Sequence, residues 1–203
     1  AHLNTFAKAP ETRLALLINL NENRLHGRVD GLAFARMLIS NLKTETEPLI
    51  ISTSIAYLNE MALHGQIAGS EELEESLLGL ARKPGGKGCQ QAALLGTFRQ
   101  PATTQKIYRM WKEQKSFTGL ALGESDYTKM AYELAVRMPE KYEEIRATQA
   151  TRIQDPDRKR EFNFIVRAVA PETETRDSLF RSLLIAGNRR IEPWVTQIVG
   201  YLN

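Results

Sequence analysis

Apolar residues in this chain recur every three to four positions and hardly ever every second one. Leu14, Leu17, Ile18 and Leu25 mark one such face, and Leu32, Phe34, Met37, Leu38 and Leu42 mark the next. A spacing of 3.6 places these side chains on one stripe of a helix, whereas a half-buried strand needs alternation. The pattern therefore predicts an all-α protein, with helices near 11–26, 31–43, 47–64, 70–82, 89–99, 102–115, 125–138, 140–153, 156–170, 172–185 and 189–202. Punctuation agrees with these limits. Pro48, Pro101, Pro156, Pro171 and Pro193 sit where a first helical turn tolerates a residue without an N–H, and Gly27, Gly65, Gly123 and Gly187 follow periodic stretches as C-terminal glycines do. Ser70, Ser125 and Asp155 are the N-cap candidates.

Links between these segments are short, which makes sequence neighbours antiparallel partners and points to stacked helical hairpins. One internal echo fits that architecture: Leu20-Asn21-Glu22-Asn23-Arg24-Leu25-His26-Gly27 returns 38 residues later as Leu58-Asn59-Glu60-Met61-Ala62-Leu63-His64-Gly65. The interval resembles the roughly 34–47 residues of helical-hairpin repeats, so a HEAT/armadillo-like α-solenoid is one reading and chance likeness of two helix ends the other. With 203 residues, 42% of them hydrophobic and 25% charged, the chain is an ordinary globular one, expected to form a single all-helical domain over 1–203. Cys89 alone closes no intramolecular disulfide, and the longest apolar runs, such as Leu49-Ile50-Ile51, fall far short of the ~20 residues that span a bilayer. Ala1-His2-Leu3-Asn4-Thr5-Phe6 lacks both the basic and the apolar regions of a signal peptide. It reads as a cut made in a longer chain, and it leaves the compartment open.

Several constellations invite a chemical reading and then fail it. Glu22 with His26, and Glu60 with His64, share a helix face at i,i+4, yet a His just before a glycine stop serves a helix C-terminus, and no His-Glu-x-x-His occurs. Gly85-Gly86-Lys87-Gly88 lacks the spacing, the Ser or Thr and the preceding strand of a phosphate loop, and reads as a helix link. Between residues 82 and 115 the basic side chains Arg82, Lys83, Lys87, Arg99, Lys106, Arg109, Lys112 and Lys115 are opposed by Glu113 alone. Such a stretch could meet an acidic partner, or it could be solvated helix faces, and the overall charge of +3 is smaller than a non-specific nucleic-acid binder usually carries. Glu143-Glu144 and Asp155/Asp157 read as surface or capping charges. Trp111, Tyr127, Tyr132, Phe162, Phe164, Phe180 and Trp194 recur at helical spacing and are expected in the core.

The last third carries a set of ordered motifs: Tyr127-Thr128-Lys129-Met130-Ala131-Tyr132-Glu133-Leu134-Ala135, Arg152-Ile153-Gln154-Asp155-Pro156-Asp157-Arg158, Phe162-Asn163-Phe164-Ile165, Arg176-Asp177-Ser178-Leu179-Phe180 and Asn188-Arg189-Arg190-Ile191-Glu192-Pro193-Trp194-Val195. In order and spacing they resemble the C-terminal helical domain of M1-family zinc aminopeptidases, the aminopeptidase N group in its bacterial form. Arg13-Leu14-Ala15-Leu16-Leu17-Ile18-Asn19-Leu20-Asn21-Glu22 is similar to an early helix of the same domain. The likeness covers most of the chain and is weakest around 80–120.

The resemblance implies a parent enzyme that holds zinc through His-Glu-x-x-His and a later Glu, and that binds the substrate's amine through Gly-x-Met-Glu-Asn. Neither motif stands here, since none of Met37, Met61, Met110, Met130 and Met138 precedes Glu-Asn. No catalytic residue carries over, and no cofactor is expected in this chain. What the resemblance implies instead is a non-catalytic bowl of hairpins that covers the catalytic cleft of the same polypeptide and restricts peptide access. Arg152, Arg158, Arg176 and Arg189 are candidates, by residue type, for the substrate's C-terminal carboxylate, with surface or interhelix ion pairing as their plainer role. The alternative is a free-standing α-solenoid that binds a protein or nucleic acid through its basic 82–115 region. An independent enzyme with an unrecognised site is a third reading.

Overall fold

The computed structural model describes residues 9–63, 71–82, 90, 93–94, 100–117 and 120–202. Among them there are ten α-helices and no strand: α1 Pro10–Leu25, α2 Gly31–Leu42, α3 Pro48–Leu63, α4 Glu71–Arg82, α5 Pro101–Glu113, α6 Glu124–Arg137, α7 Tyr142–Arg152, α8 Pro156–Ile165, α9 Thr173–Ser182 and α10 Glu192–Leu202. Gln90, Ala93 and Leu94, the described part of the helix expected over 89–99, are helical and buried. No helix among the described residues is long and apolar enough to cross a membrane. The chain divides into two compact units, residues 1–105 with 116–121 and residues 106–115 with 122–203, so that α5 is shared between them.

In the first unit the sequence punctuation works as its chemistry requires. Pro10 opens α1, and Gly27 ends it at φ +70°, with its N–H on the Arg24 carbonyl at 2.9 Å and the Arg28 N–H on Asn23 at 2.8 Å. Any side chain there would be strained. Gly65, its counterpart in the echo, and Ser70 lie outside the described residues. Asp30 caps α2 by accepting the Ala33 N–H at 2.8 Å. Helices α1, α2 and α3 pack on one another and α2 also meets α4, enclosing Leu17, Phe34, Leu38, Ile50, Leu58 and Leu77.

Charge is buried within this packing. Arg13 on α1 donates to Glu45 in the α2–α3 link from Nε at 3.1 Å and from Nη2 at 3.0 Å, and the same carboxylate accepts the Thr46 and Glu47 N–H groups. Only 1% of the Glu45 side chain is exposed. Burial pushes its carboxyl up, but Arg13 and the two backbone donors outweigh burial and hold it below the usual carboxylate range. A second bridge joins the two copies of the echo, with Arg24 Nη2 on the Glu60 carboxylate at 3.1 Å and Arg24 Nε on Asn21 at 3.0 Å. Among the described residues the Asn41 amide and the Ser54 hydroxyl are buried with no hydrogen-bond partner.

The second unit corrects several sequence expectations. Gly123, expected to stop a helix, is the N-cap of α6 at φ −103°, and the Asp126 carboxylate accepts its N–H at 2.7 Å, so Ser125 is not the cap. The α-helix expected over 156–170 stops at Ile165 and tightens into a 3₁₀ turn, Val166–Val169. Pro171 explains the stop: it disfavours helical geometry at Ala170, which is extended at ψ 140°. Pro171 therefore precedes α9 instead of opening it, and Gly187 lies inside a 3₁₀ turn, Ala186–Arg189, before α10. Phe180, expected in the core, is 54% exposed. Asp155 behaves as read, accepting the Asp157 and Arg158 N–H groups at 2.8 and 3.0 Å. Helix α6 packs along α7, and the Val166–Val169 turn lies against α6, α8, α9 and α10.

Two stability outcomes follow. Arg13→Ala or Glu45→Ala leaves an uncompensated buried charge and is expected to cost about 3–5 kcal/mol in urea denaturation. Because the folded Glu45 pKa is depressed, its contribution is complete above the unfolded carboxylate range and lost as pH falls through the folded value, and Glu45→Gln removes that acid sensitivity. Ser54→Ala removes an unsatisfied hydroxyl within a helix and is expected to raise stability by about 1 kcal/mol, read as a higher urea midpoint.

Candidate functional site

The four arginines fall into different settings in the second unit. Arg152, the last residue of α7, donates from Nη1 to the Trp111 carbonyl at 2.8 Å and from Nη2 to the Lys112 carbonyl at 2.7 Å. Its guanidinium also lies 4.8 Å from the Trp111 ring centroid. It thereby fastens the carbonyls at the C-terminal end of α5 with both a donor fork and a cation–π contact. Beneath it the fully buried Trp111 indole donates to Gln149 Oε1 at 3.0 Å, and Gln149 Nε2 donates to the Thr128 hydroxyl at 2.9 Å, linking α5, α7 and α6. Burial lowers the Arg152 pKa, yet a guanidinium stays charged across the physiological range.

Arg176 is also committed. Its Nη1 bonds the Ala170 and Pro171 carbonyls and its Nη2 the Thr173 hydroxyl, fastening the start of α9. Arg189 is exposed in the turn before α10. Of the four, Arg158 lines a cavity of about 200 Å³ whose polar walls include Glu124, Lys129, Tyr132, Arg158, Glu161 and Gln197. Arg152, Arg176 and Arg189 are not among the residues that line it.

That cavity follows from helical spacing. Ser125, Lys129 and Tyr132 share a face of α6, Arg158 and Glu161 stand three apart on α8, and α10 brings Gln197. Glu124 is tied down by the Arg158 guanidinium at 3.3 Å and by the Gln154 N–H at 3.3 Å. Tyr132 is 3% exposed, with its ring 5.4 Å from Phe162 and 5.7 Å from Tyr201. Burial, then the nearby Glu161 and Tyr201, raise its phenol pKa far above the ordinary value, so it keeps its proton and can donate. The Thr128 hydroxyl is spent on the Glu124 carbonyl and Gln149. Charges and hydrogen-bond donors gather here, an arrangement that can bind and orient a small polar group. Of these residues only Arg158 was legible from sequence as a candidate; the signal for the rest was opposite charges on the facing stripes of two helices.

Elsewhere the described residues offer less. A groove of about 340 Å³ between α2 and α4 is larger, with Ile39, Leu42, Gly79 and Leu80 on its walls beside Lys43, Glu75 and Ser76. Among the described residues no group of three or more His, Cys, Asp and Glu is placed to hold a metal. His26 caps the end of α1, exposed, and with Glu22 it makes at most two donors, too few for a zinc centre; His64 lies outside the described residues. In the basic stretch, Lys112 bonds Glu144 at 2.7 Å and Tyr108 at 3.3 Å, and Arg82 lies 4.9 Å from the Phe117 ring, while Lys83, Lys87 and Arg99 lie outside the described residues. Compared with protein-family models, with curated proteins and with solved structures, the chain matches none.

The Arg152 clamp carries its own test. Arg152→Ala removes two charge-assisted bonds and is expected to cost about 1.5–3 kcal/mol. Arg152→Lys recovers little of it, because an ammonium cannot reproduce the planar fork, and thermal unfolding of the two variants measures both effects.

Proposed function

We propose that this chain is the non-catalytic C-terminal helical domain of an M1-type zinc aminopeptidase. Its helices would stack as HEAT/armadillo-like hairpins over the catalytic cleft of the same polypeptide, and zinc and the hydrolytic residues would belong to that upstream domain. The order and spacing of the motifs from Tyr127 to Val195 carry this reading. The structure supports it through the part those motifs play in folding: Asp155 and Pro156 start α8, and Trp194, near the start of α10, lies 6.2 Å from Phe164.

A second support is the apolar surface beside the last motif. Leu184 and Ile185 are 70% and 63% exposed, with Phe180 and Ile191 near them in sequence, an arrangement that suits a face covered by another domain. In the parent, a lid of this kind would limit entry to unfolded peptides and shield the reaction from water. Arg158 and Arg189 are exposed and suited to a peptide carboxylate, whereas Arg152 and Arg176 are engaged with backbone carbonyls. In the basic stretch Lys112 is paired with Glu144 and Arg82 lies against the Phe117 ring, so these two cations are engaged within the chain although both are exposed.

The decisive observation is the coding sequence upstream of Ala1. Gly-x-Met-Glu-Asn followed by His-Glu-x-x-His in frame is the expected finding, and a start codon there with neither motif overturns the proposal. The chain by itself, supplied with zinc, is expected to release no amino acid from aminoacyl anilides; release would show that it is catalytic. Sedimentation of the isolated chain should show self-association that Leu184→Asp weakens.

A further inference from the structure

The cavity of the second unit holds two carboxylates and two cations on separate helices. Glu124 and Arg158 offset each other at 3.3 Å. Lys129 on α6 and Glu161 on α8 border the same space, and among the described residues neither makes an ion pair. The Tyr132 phenol borders it as well, on a side chain 3% exposed, and no hydrogen-bond partner accepts its proton among the described residues. A lone anion entering this space would meet Glu161 and a lone cation would meet Lys129. A ligand carrying both charges satisfies both, and a net-neutral site favours a net-neutral ligand. Ile153 adds an apolar wall. The space is below the roughly 300–1,000 Å³ of sites for drug-sized ligands, which restricts it to a small molecule.

We propose that this cavity binds a small aliphatic α-amino acid as its zwitterion, the carboxylate on Lys129 and the Tyr132 phenol, the ammonium on Glu161. This assignment rests on the charges of the second unit and not on the aminopeptidase reading, which places a peptide carboxylate alone on an arginine. Calorimetric titration of the full chain with L-leucine is expected to show saturable binding. N-acetyl-leucine, which lacks the ammonium, and leucinamide, which lacks the carboxylate, should each bind at least about tenfold more weakly, as should L-leucine to Lys129→Gln and to Glu161→Gln. No binding of L-leucine at millimolar concentration overturns the proposal, and so does equal binding of N-acetyl-leucine, which would mark a carboxylate site. Amide NMR shifts of the unsubstituted chain keep the question open to test if a variant folds poorly: shifts clustered on α6, α8 and α10 support the site, and shifts confined elsewhere refute it.

Discussion

An all-helical chain has no backbone ladder between its elements. Each helix satisfies its own N–H and C=O groups, so side chains alone decide how one helix is set against another. Apolar packing holds them together but is non-directional. Direction comes from a few polar contacts that reach across long stretches of sequence: Arg13 to Glu45, Arg24 to Glu60, Glu74 to the Gln100 N–H and the Thr103 hydroxyl, and Trp111 to Gln149. Each ties a helix to a partner 26 or more residues away. Against an apolar pair of equal volume such contacts are worth little, yet each is costly to break from one side, so they penalise wrong registers more than they stabilise the right one.

These contacts were the part of the fold that the sequence concealed. Helix existence was legible because period 3.6 is a local property, and Asp155-Pro156 and Gly27 acted as their chemistry predicts. Ends failed where two local signals competed. Ser125 lost the cap of α6 to Gly123 because Asp126 reaches back to the Gly123 N–H, and Pro171 acted on the residue before it, shortening α8. Nothing local marks Arg13 as the partner of Glu45, which lies 32 residues on. Phe180 has the spacing of a core residue but stands at a surface, because periodicity reports that a face is apolar and not what covers it.

The candidate site shows the same division. Residue type nominated four arginines, and geometry gave them different work: Arg152 and Arg176 hold carbonyls at helix ends, while Arg158 offsets Glu124 at the edge of a cavity. A guanidinium at a helix terminus and one at a binding site look alike in sequence, since both need a planar fork near exposed oxygens. Nothing in the sequence pairs Lys129 with Glu161, because single opposite charges on two helices are common surface features. What sets them apart is that α6 and α8 place them around one space, with Tyr132 between aromatic neighbours at its wall.

The Val166–Val169 turn is short, and Val166, Ala168 and Val169 are buried within it, while Tyr142 donates to the Val166 carbonyl at 3.3 Å. Four helices rest on this one turn of small side chains. Close-packed segments of this kind pass displacement on instead of absorbing it. In the second unit α9, whose far end carries the exposed Phe180, therefore packs on the same residues that seat α6 and α10, two walls of the charged cavity.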